Sequence, residues 1–224
     1  KSITGGYTTI FIFPFDRDDK SKKDAYTEIK GFFDELSDNV LLFLKNIHTI
    51  EWQVINKSLS YRITKKAKDG FVEIKNTQKK TSQWLLFTKK IKKPEIKEPL
   101  TLSIAFKFDK KKGIIPITGD VSIFFPAKKE TSNLKFHIDA PFSSTVARDS
   151  IVDSAENEEM IEDIVALCRE SMSKIRDQGL LTPSFFEVLP NINDELDDFY
   201  NPIFEGLIDE FSSRENKLIP LKDG

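Results

Sequence analysis

The chain has 224 residues, 39% hydrophobic and 31% charged, with a formal net charge of −2 at pH 7. This suits a globular protein long enough to bury a real core, as one large domain or two small ones. No run approaches the roughly 18 apolar residues of a membrane-crossing helix, no secretory signal pattern opens the chain, and two histidines with one cysteine are too few ligands for a structural zinc site.

The only cysteine, Cys168, cannot form an internal disulfide, which fits a reducing compartment, the cytoplasm. Nineteen phenylalanines point to an aromatic core. The first residue is Lys1 and the last are Leu221-Lys222-Asp223-Gly224, so the chain is expected to be a piece of a longer protein. Its charges are segregated. Lys65 to Lys112 holds 15 lysines against 5 acids, and Asp149 to Glu215 holds 18 acids against 4 basic residues. Two solvated faces, docked on each other, account for this; so does a basic sheet surface that meets an anionic partner.

Tyr7 to Phe15 is rich in β-branched and aromatic residues and reads as a strand that Pro14 brings near its end. Residues 16–23 read as a charged loop. Tyr26, Ile29, Phe32, Phe33 and Leu36 recur at helical spacing over 24–36. Asp38 is placed to cap a short helix over 40–44. Strands are expected over 49–55, 58–65, 71–76 and 84–91, separated by polar turns that signal hairpins. Residues 100–108 alternate cleanly and predict a half-buried antiparallel strand, with Leu100, Leu102, Ile104, Phe106 and Phe108 on one face. Strands over 121–125 and 134–138 complete the sheet. The last third reads as helical: 156–177 capped by Ser154 and closed by Gly179, a short turn from Pro183 to Phe186, and a final helix over 194–211 capped by Asn193, despite Pro202 inside it. The predicted fold is α+β: an antiparallel meander sheet of six or seven strands, helices on its N-terminal side and a helical C-terminal third. The expected organisation is residues 1–15, then a mixed domain over 16–152, then a C-terminal helical part of that same region over 153–224.

Candidate chemistry is sparse. There is no nucleophile elbow and no P-loop, and nothing groups serine, histidine and aspartate as a triad. His48 and His137 read as surface or structural residues, and Cys168 lies on an apolar helix stripe. The acids at 156–159 and 194–198 fall in first helical turns and complement the helix dipole. Trp84 and Phe87 interleave with Lys89, Lys90, Lys92 and Lys93, a pattern that can stack bases and neutralise phosphates; it is also the ordinary look of a sheet with one buried face. Arg148 stands out. Ser143, Ser144 and Thr145 precede it, and a helix follows within a few residues. An arginine there can fork onto two phosphate oxygens. It can equally pair with Asp149, Asp153 or Glu156.

From Ser144 to Ile151, followed by the helix from Glu159 to Arg169, the chain resembles the nucleotide-sensing segment in the middle domain of the ninety-kilodalton heat-shock chaperones. Residues 133–151 with that helix are also similar to the corresponding part of sacsin-type proteins and their bacterial relatives. Gly6 to Phe15 resembles the closing strand of a GHKL-type ATPase domain, Phe43 to Trp52 the start of the sacsin-type middle region, and Lys217 to Gly224 the loop that leaves it. The resemblance implies a middle, or transducer, region: Arg148 would reach the terminal phosphate of ATP held with magnesium in a preceding domain, and closure would be relayed to downstream domains. Ser144 and Thr145 would lie beside the phosphate; alternatively, Lys79 and Lys80 in their hairpin resemble the phosphate-contacting lysine of other GHKL transducers. The implied partners are the preceding ATPase domain, downstream domains and a second copy of the chain, with no membrane. The chain carries none of the GHKL pocket motifs, and Val152 stands where the chaperones place a glutamine. The chain alone is therefore expected to be no enzyme, its longer parent an ATPase. The rival reading is a nucleic-acid or protein binding module that uses the lysine-rich sheet.

Overall fold

Hairpin chemistry builds most of the sheet. The computed structural model describes residues 11–16, 18–53, 60–94, 96–213 and 215–219. Strands β1 (Thr49–Gln53), β2 (Ser60–Lys68), β3 (Phe71–Asn76), β4 (Thr81–Ile91) and β5 (Leu100–Asp109) pair in sequence, all antiparallel. Between β2 and β3 a two-residue loop places Asp69 at φ +51° and Gly70 at φ +82°. Positive φ at both positions gives the tight turn the twist that antiparallel strands need. Four short strands follow: β6 (Gly113–Ile115), β7 (Val121–Ile123), β8 (Phe125–Pro126) and β9 (His137–Asp139). The spatial order is β1-β2-β3-β4-β5-β9-β7-β8, with β6 also on β5.

The sheet is not the pure antiparallel meander expected. β9 inserts between β5 and β7, and it pairs with β7 in parallel, so the sheet is mixed. Residues 121–125 are not one strand, because Phe124 turns to φ +68° and splits β7 from β8. Residues 54–55 and 58–59, at the facing ends of the strands expected over 49–55 and 58–65, lie outside the described residues.

Alternation gives the sheet two faces. On one, Leu85, Phe87, Leu102, Ile104, Phe106 and Ile138 join a single buried cluster with Ile161, Ile164, Cys168, Met172 and Ile175 of helix α2 (Ala155–Asp177). Phe106 is at the centre, its ring 4.9 Å from that of Phe136 and 6.1 Å from those of Phe87 and Phe185. On the other, Ile63, Val72, Ile74, Trp84 and Ala105 are buried, as are Val40, Leu41 and Leu42 in and beside a 3-10 turn, Asp38–Leu41, that packs on β2 and β3. β5 is therefore buried on both faces at its middle, not on one as its alternation suggested. Asp38 does not start an α-helix; its carboxylate accepts the Tyr61 hydroxyl at 2.8 Å and the Asn76 amide at 2.6 Å.

Helix α2 begins and ends as its sequence dictates. The Ser154 side chain accepts the Asn157 N–H, and Gly179 turns to φ +69° while the Leu180 N–H reaches the Ile175 carbonyl at 3.0 Å. After α3 (Pro183–Phe186), the final helix α4 spans Asn201–Ser212. The expected start at Asp194 is wrong by two turns, because proline is accepted in a first turn and not inside a helix. Asp194 instead closes a turn on Asn191 and pairs with Lys135 at 2.8 Å. Gly206 lets α4 lie against α2: a Cβ there would stand 2.3 Å from Val165 Cγ1, and its carbonyl accepts Arg169 Nε at 3.0 Å. Gly206→Ala is expected to lower unfolding free energy by about 1–3 kcal/mol. Adding Val165→Ala should recover part of the loss, measured by urea titration of both variants.

Residues Lys1–Ser37 form a separate unit from Asp38–Gly224. Within it, α1 (Lys22–Asp34) is capped by Ser21 and buries no residue fully. Of the expected first strand, Tyr7–Ile10 lies outside the described residues, and Phe11–Phe15 has no strand structure. Residue 152, between the mixed and helical parts of the expected region, lies inside the unit Asp38–Gly224, where α2 packs on β4 and β5.

Candidate functional site

Between β9 and α2 the chain folds into a small hairpin. Ser144 bridges Ile151, the Thr145 N–H reaches the Ser150 carbonyl at 3.1 Å, and the Arg148 N–H reaches the Thr145 carbonyl at 2.9 Å. Arg148 sits at the exposed tip with φ +56°. Asp149 locks the turn. Its carboxylate accepts the Thr145 hydroxyl at 2.8 Å and pairs with Lys129 at 2.8 Å, and its carbonyl accepts the Lys129 N–H at 2.8 Å. Lys129 first, then Thr145, holds this carboxyl below the usual range.

The base of the hairpin is clamped. Asn157, 1% exposed on α2, accepts the Ser143 N–H at 2.8 Å and donates to the Ser143 and Val152 carbonyls at 2.8 and 2.7 Å. Glu130 accepts the Ile151 N–H at 2.6 Å and the hydroxyl of buried Tyr200 at 3.2 Å. Burial, then Glu130, drives the Tyr200 hydroxyl far above its ordinary pKa.

Arg148 thus stands on a rigid base. Among the described residues its guanidinium makes no ion pair, and Asp149, one of its expected partners, belongs to Lys129. The hydroxyls expected beside it are engaged inside the turn, Ser144 with the Thr145 carbonyl and Thr145 with Asp149. Lys129 is a second cation at this site that sequence reading missed, because the 127–130 turn and the hairpin are brought together only by the fold. Lys79 and Lys80 lie in the β3–β4 turn, across β4 and β5 from β9, the strand that leads into the hairpin.

The basic residues of the rival reading do not form one surface. Trp84 is 2% exposed and cannot receive a base; its ring lies 4.8 Å from that of His137, with Lys107 Nζ 4.5 Å away over it. Lys89 and Lys93 pair with Glu170 and Glu159 on α2, each at 2.5 Å. Here the basic sheet and the acidic helix are docked on each other. Lys90 is exposed on the face opposite Lys89, and Lys92 lies just beyond the strand.

Of the two readings open for His137, surface or structural, the structure shows the structural one, and it buries Asp139 beside it. His137, 3% exposed, accepts the Asp120 N–H at Nδ1 (2.8 Å), and burial lowers its pKa. Its neighbour two residues on, Asp139, is 8% exposed, and burial raises its carboxyl to about 7. Burial likewise pushes the Cys168 thiol up to about 12, which makes it unreactive. Among the described residues no three ligating side chains could hold a metal ion, and no helix is long and apolar enough to cross a membrane. Comparison with known protein families, curated proteins and solved structures finds no match for the chain.

Proposed function

We propose that this chain is the middle, or transducer, region of an ATPase similar to the sacsin-type and ninety-kilodalton heat-shock proteins. One observation carries the reading: an exposed arginine with no ion pair among the described residues, at the tip of a hairpin clamped by Asn157 and Glu130. The residues present fit a sensor of a terminal phosphate, with Arg148 at the tip and the adjacent Asp149 carboxylate neutralised by Lys129. They do not fit a whole nucleotide pocket, so ATP with magnesium is held by the preceding domain. The part played by this chain is to hold one cation where negative charge grows during phosphoryl transfer, and a preorganised donor of that kind contributes several kcal/mol to a transition state. The clamp passes the position of Arg148 to α2 through Asn157.

Arg148 holds the left-handed backbone of its turn, as Asp69, Phe124 and other turn residues do, and at φ +56° a non-glycine residue costs about 1 kcal/mol or more. The test uses the longer protein that joins this region to its ATPase domain. Arg148→Ala is expected to cut turnover about tenfold or more, roughly 1.4 kcal/mol of barrier, with folding intact. Arg148→Gly should lose turnover equally while matching or exceeding the wild type in stability, since glycine accepts this φ. Unchanged turnover in either variant defeats the proposal.

A further inference from the structure

α2 packs on β4 and β5, and over β2 and β3 the same sheet face ends in a shallow cavity of about 300 Å³. Its floor is carbon. Phe71 and Phe108, both half-buried, meet edge to face with ring centres 5.1 Å apart. Its rim is basic: Lys66 and Lys68 of β2, and Lys110 from the β5–β6 turn, are exposed.

The strand register explains the arrangement. Cross-strand partners share a face, so Lys66, Glu73, Gln83 and Phe108 form one row, and Lys68, Phe71 and Leu85 the next. The two lysines therefore stand one pleat repeat apart, about 6.7 Å, on the scale of successive phosphates in a nucleic-acid strand. Both carboxylates on this face are already engaged: Glu73 pairs with Lys75 at 2.9 Å and Glu51 pairs with Arg62. Asp109, between Phe108 and Lys110 in the chain, accepts the Lys111 and Lys112 N–H groups. Among the described residues Lys66, Lys68 and Lys110 make no ion pair; Glu73 also lines the cavity and feels the Lys110 charge, so three lysines against one carboxylate leave the lining net positive.

We propose that this face binds single-stranded nucleic acid, with a base stacked on the Phe71–Phe108 pair and phosphates held by Lys66, Lys68 and Lys110. An aromatic floor of two rings set edge to face, between separated cations, calls for a ligand that alternates a planar apolar surface with anionic groups, which is the pattern of a nucleotide chain. An acidic peptide meets the rim and leaves the floor unfilled. An acyl chain needs an enclosed tunnel and not a shallow dish. The site shares no residue with the Arg148 hairpin and stands or falls independently of it.

The test is fluorescence anisotropy of a short labelled oligothymidylate titrated with the protein. Binding is expected to weaken about twentyfold between ~50 and ~200 mM salt, as three phosphate contacts on a single strand require. Lys66→Gln with Lys68→Gln should raise Kd about tenfold or more and remove about two-thirds of the salt slope. Phe108→Leu, which keeps apolar volume against the core, should raise Kd about fivefold or more with the slope unchanged. Circular dichroism checks that each variant folds. Unchanged binding in Lys90→Gln with Lys92→Gln supports this location over the other lysines. The proposal is overturned by absence of binding at low salt, by a Kd that ignores the Lys66 and Lys68 changes, by a Kd that ignores Phe108→Leu, or by equal or tighter binding of polyglutamate.

Discussion

Asp139→Asn is expected to raise unfolding free energy by about 2–4 kcal/mol at pH 8 and to leave it unchanged at pH 3. Asp139 lies on β9 between β5 and β7, opposite Ser103 and Ser122, which are buried with it. Burial lifts its carboxyl from an ordinary 3.8 to about 7, while the Phe124 N–H at 3.2 Å and the Lys45 charge pull it partly back. The folded protein therefore holds a proton here that the unfolded chain has released. Stability from this group is fully present below about pH 4 and is lost as pH rises through about 7. At pH 8 the wild type bears a buried charge that asparagine, shaped like the neutral acid, does not carry.

His137 acts with the opposite sign. Burial lowers its pKa below 6.5, so the unfolded histidine takes up a proton before the folded one does, and its stability contribution is lost as pH falls through the lowered folded value. The two groups oppose each other in the acid range, and Asp139→Asn leaves the histidine slope exposed. Urea titrations of both proteins at pH 3, 5.5 and 8 read the effect as a difference, in which shared carboxylates cancel. An equal difference at pH 3 and pH 8 contradicts the assignment.

Asn157→Ala is expected to destabilise the protein by about 2–4 kcal/mol. The substitution frees three backbone groups at once, the Ser143 N–H and the Ser143 and Val152 carbonyls. A buried group left without its partner costs about 1–3 kcal/mol, and water recovers part of that at exposed Ser143. Asn157→Asp should be no better, since a carboxylate would face the two carbonyls that the amide now donates to. Ser154→Ala removes only the helix cap and should cost about 1 kcal/mol. The midpoint of urea unfolding ranks the three. If Asn157→Ala costs no more than Ser154→Ala, the clamp under the hairpin is not the anchor described here.

The contrast between these residues shows how far a sequence can be read. Asn157 sits among acids at the start of a helix and looks like one more first-turn polar residue. Its role comes from Ser143 and Val152, which the hairpin returns to it. His137 and Asp139 lie in a short strand whose alternation says that one side is buried, but not that both are. Two layers cover them because β9 inserts between β5 and β7, a pairing set by contacts with no local pattern. Lys129 meets Asp149 for the same reason. Trp84, Lys89 and Lys93 looked like a binding surface because composition cannot tell a lysine facing solvent from one facing an acidic helix.

What local chemistry governs was legible: the hairpins of β2 to β4, the Ser154 cap and Gly179 stop of α2, the apolar stripe that puts Cys168 in the core, and the turn that carries Arg148. Each depends on φ preference, capping or periodicity over a few residues, where neighbours in the chain supply most of the energy. The parallel β7–β9 pair, the second buried face, the late start of α4 and the open cavity over Phe71 and Phe108 depend on residues far apart in the chain. There burial and pairing outweigh local preference, and the fold alone selects which polar groups are buried, which charges are neutralised and which remain free to meet a ligand.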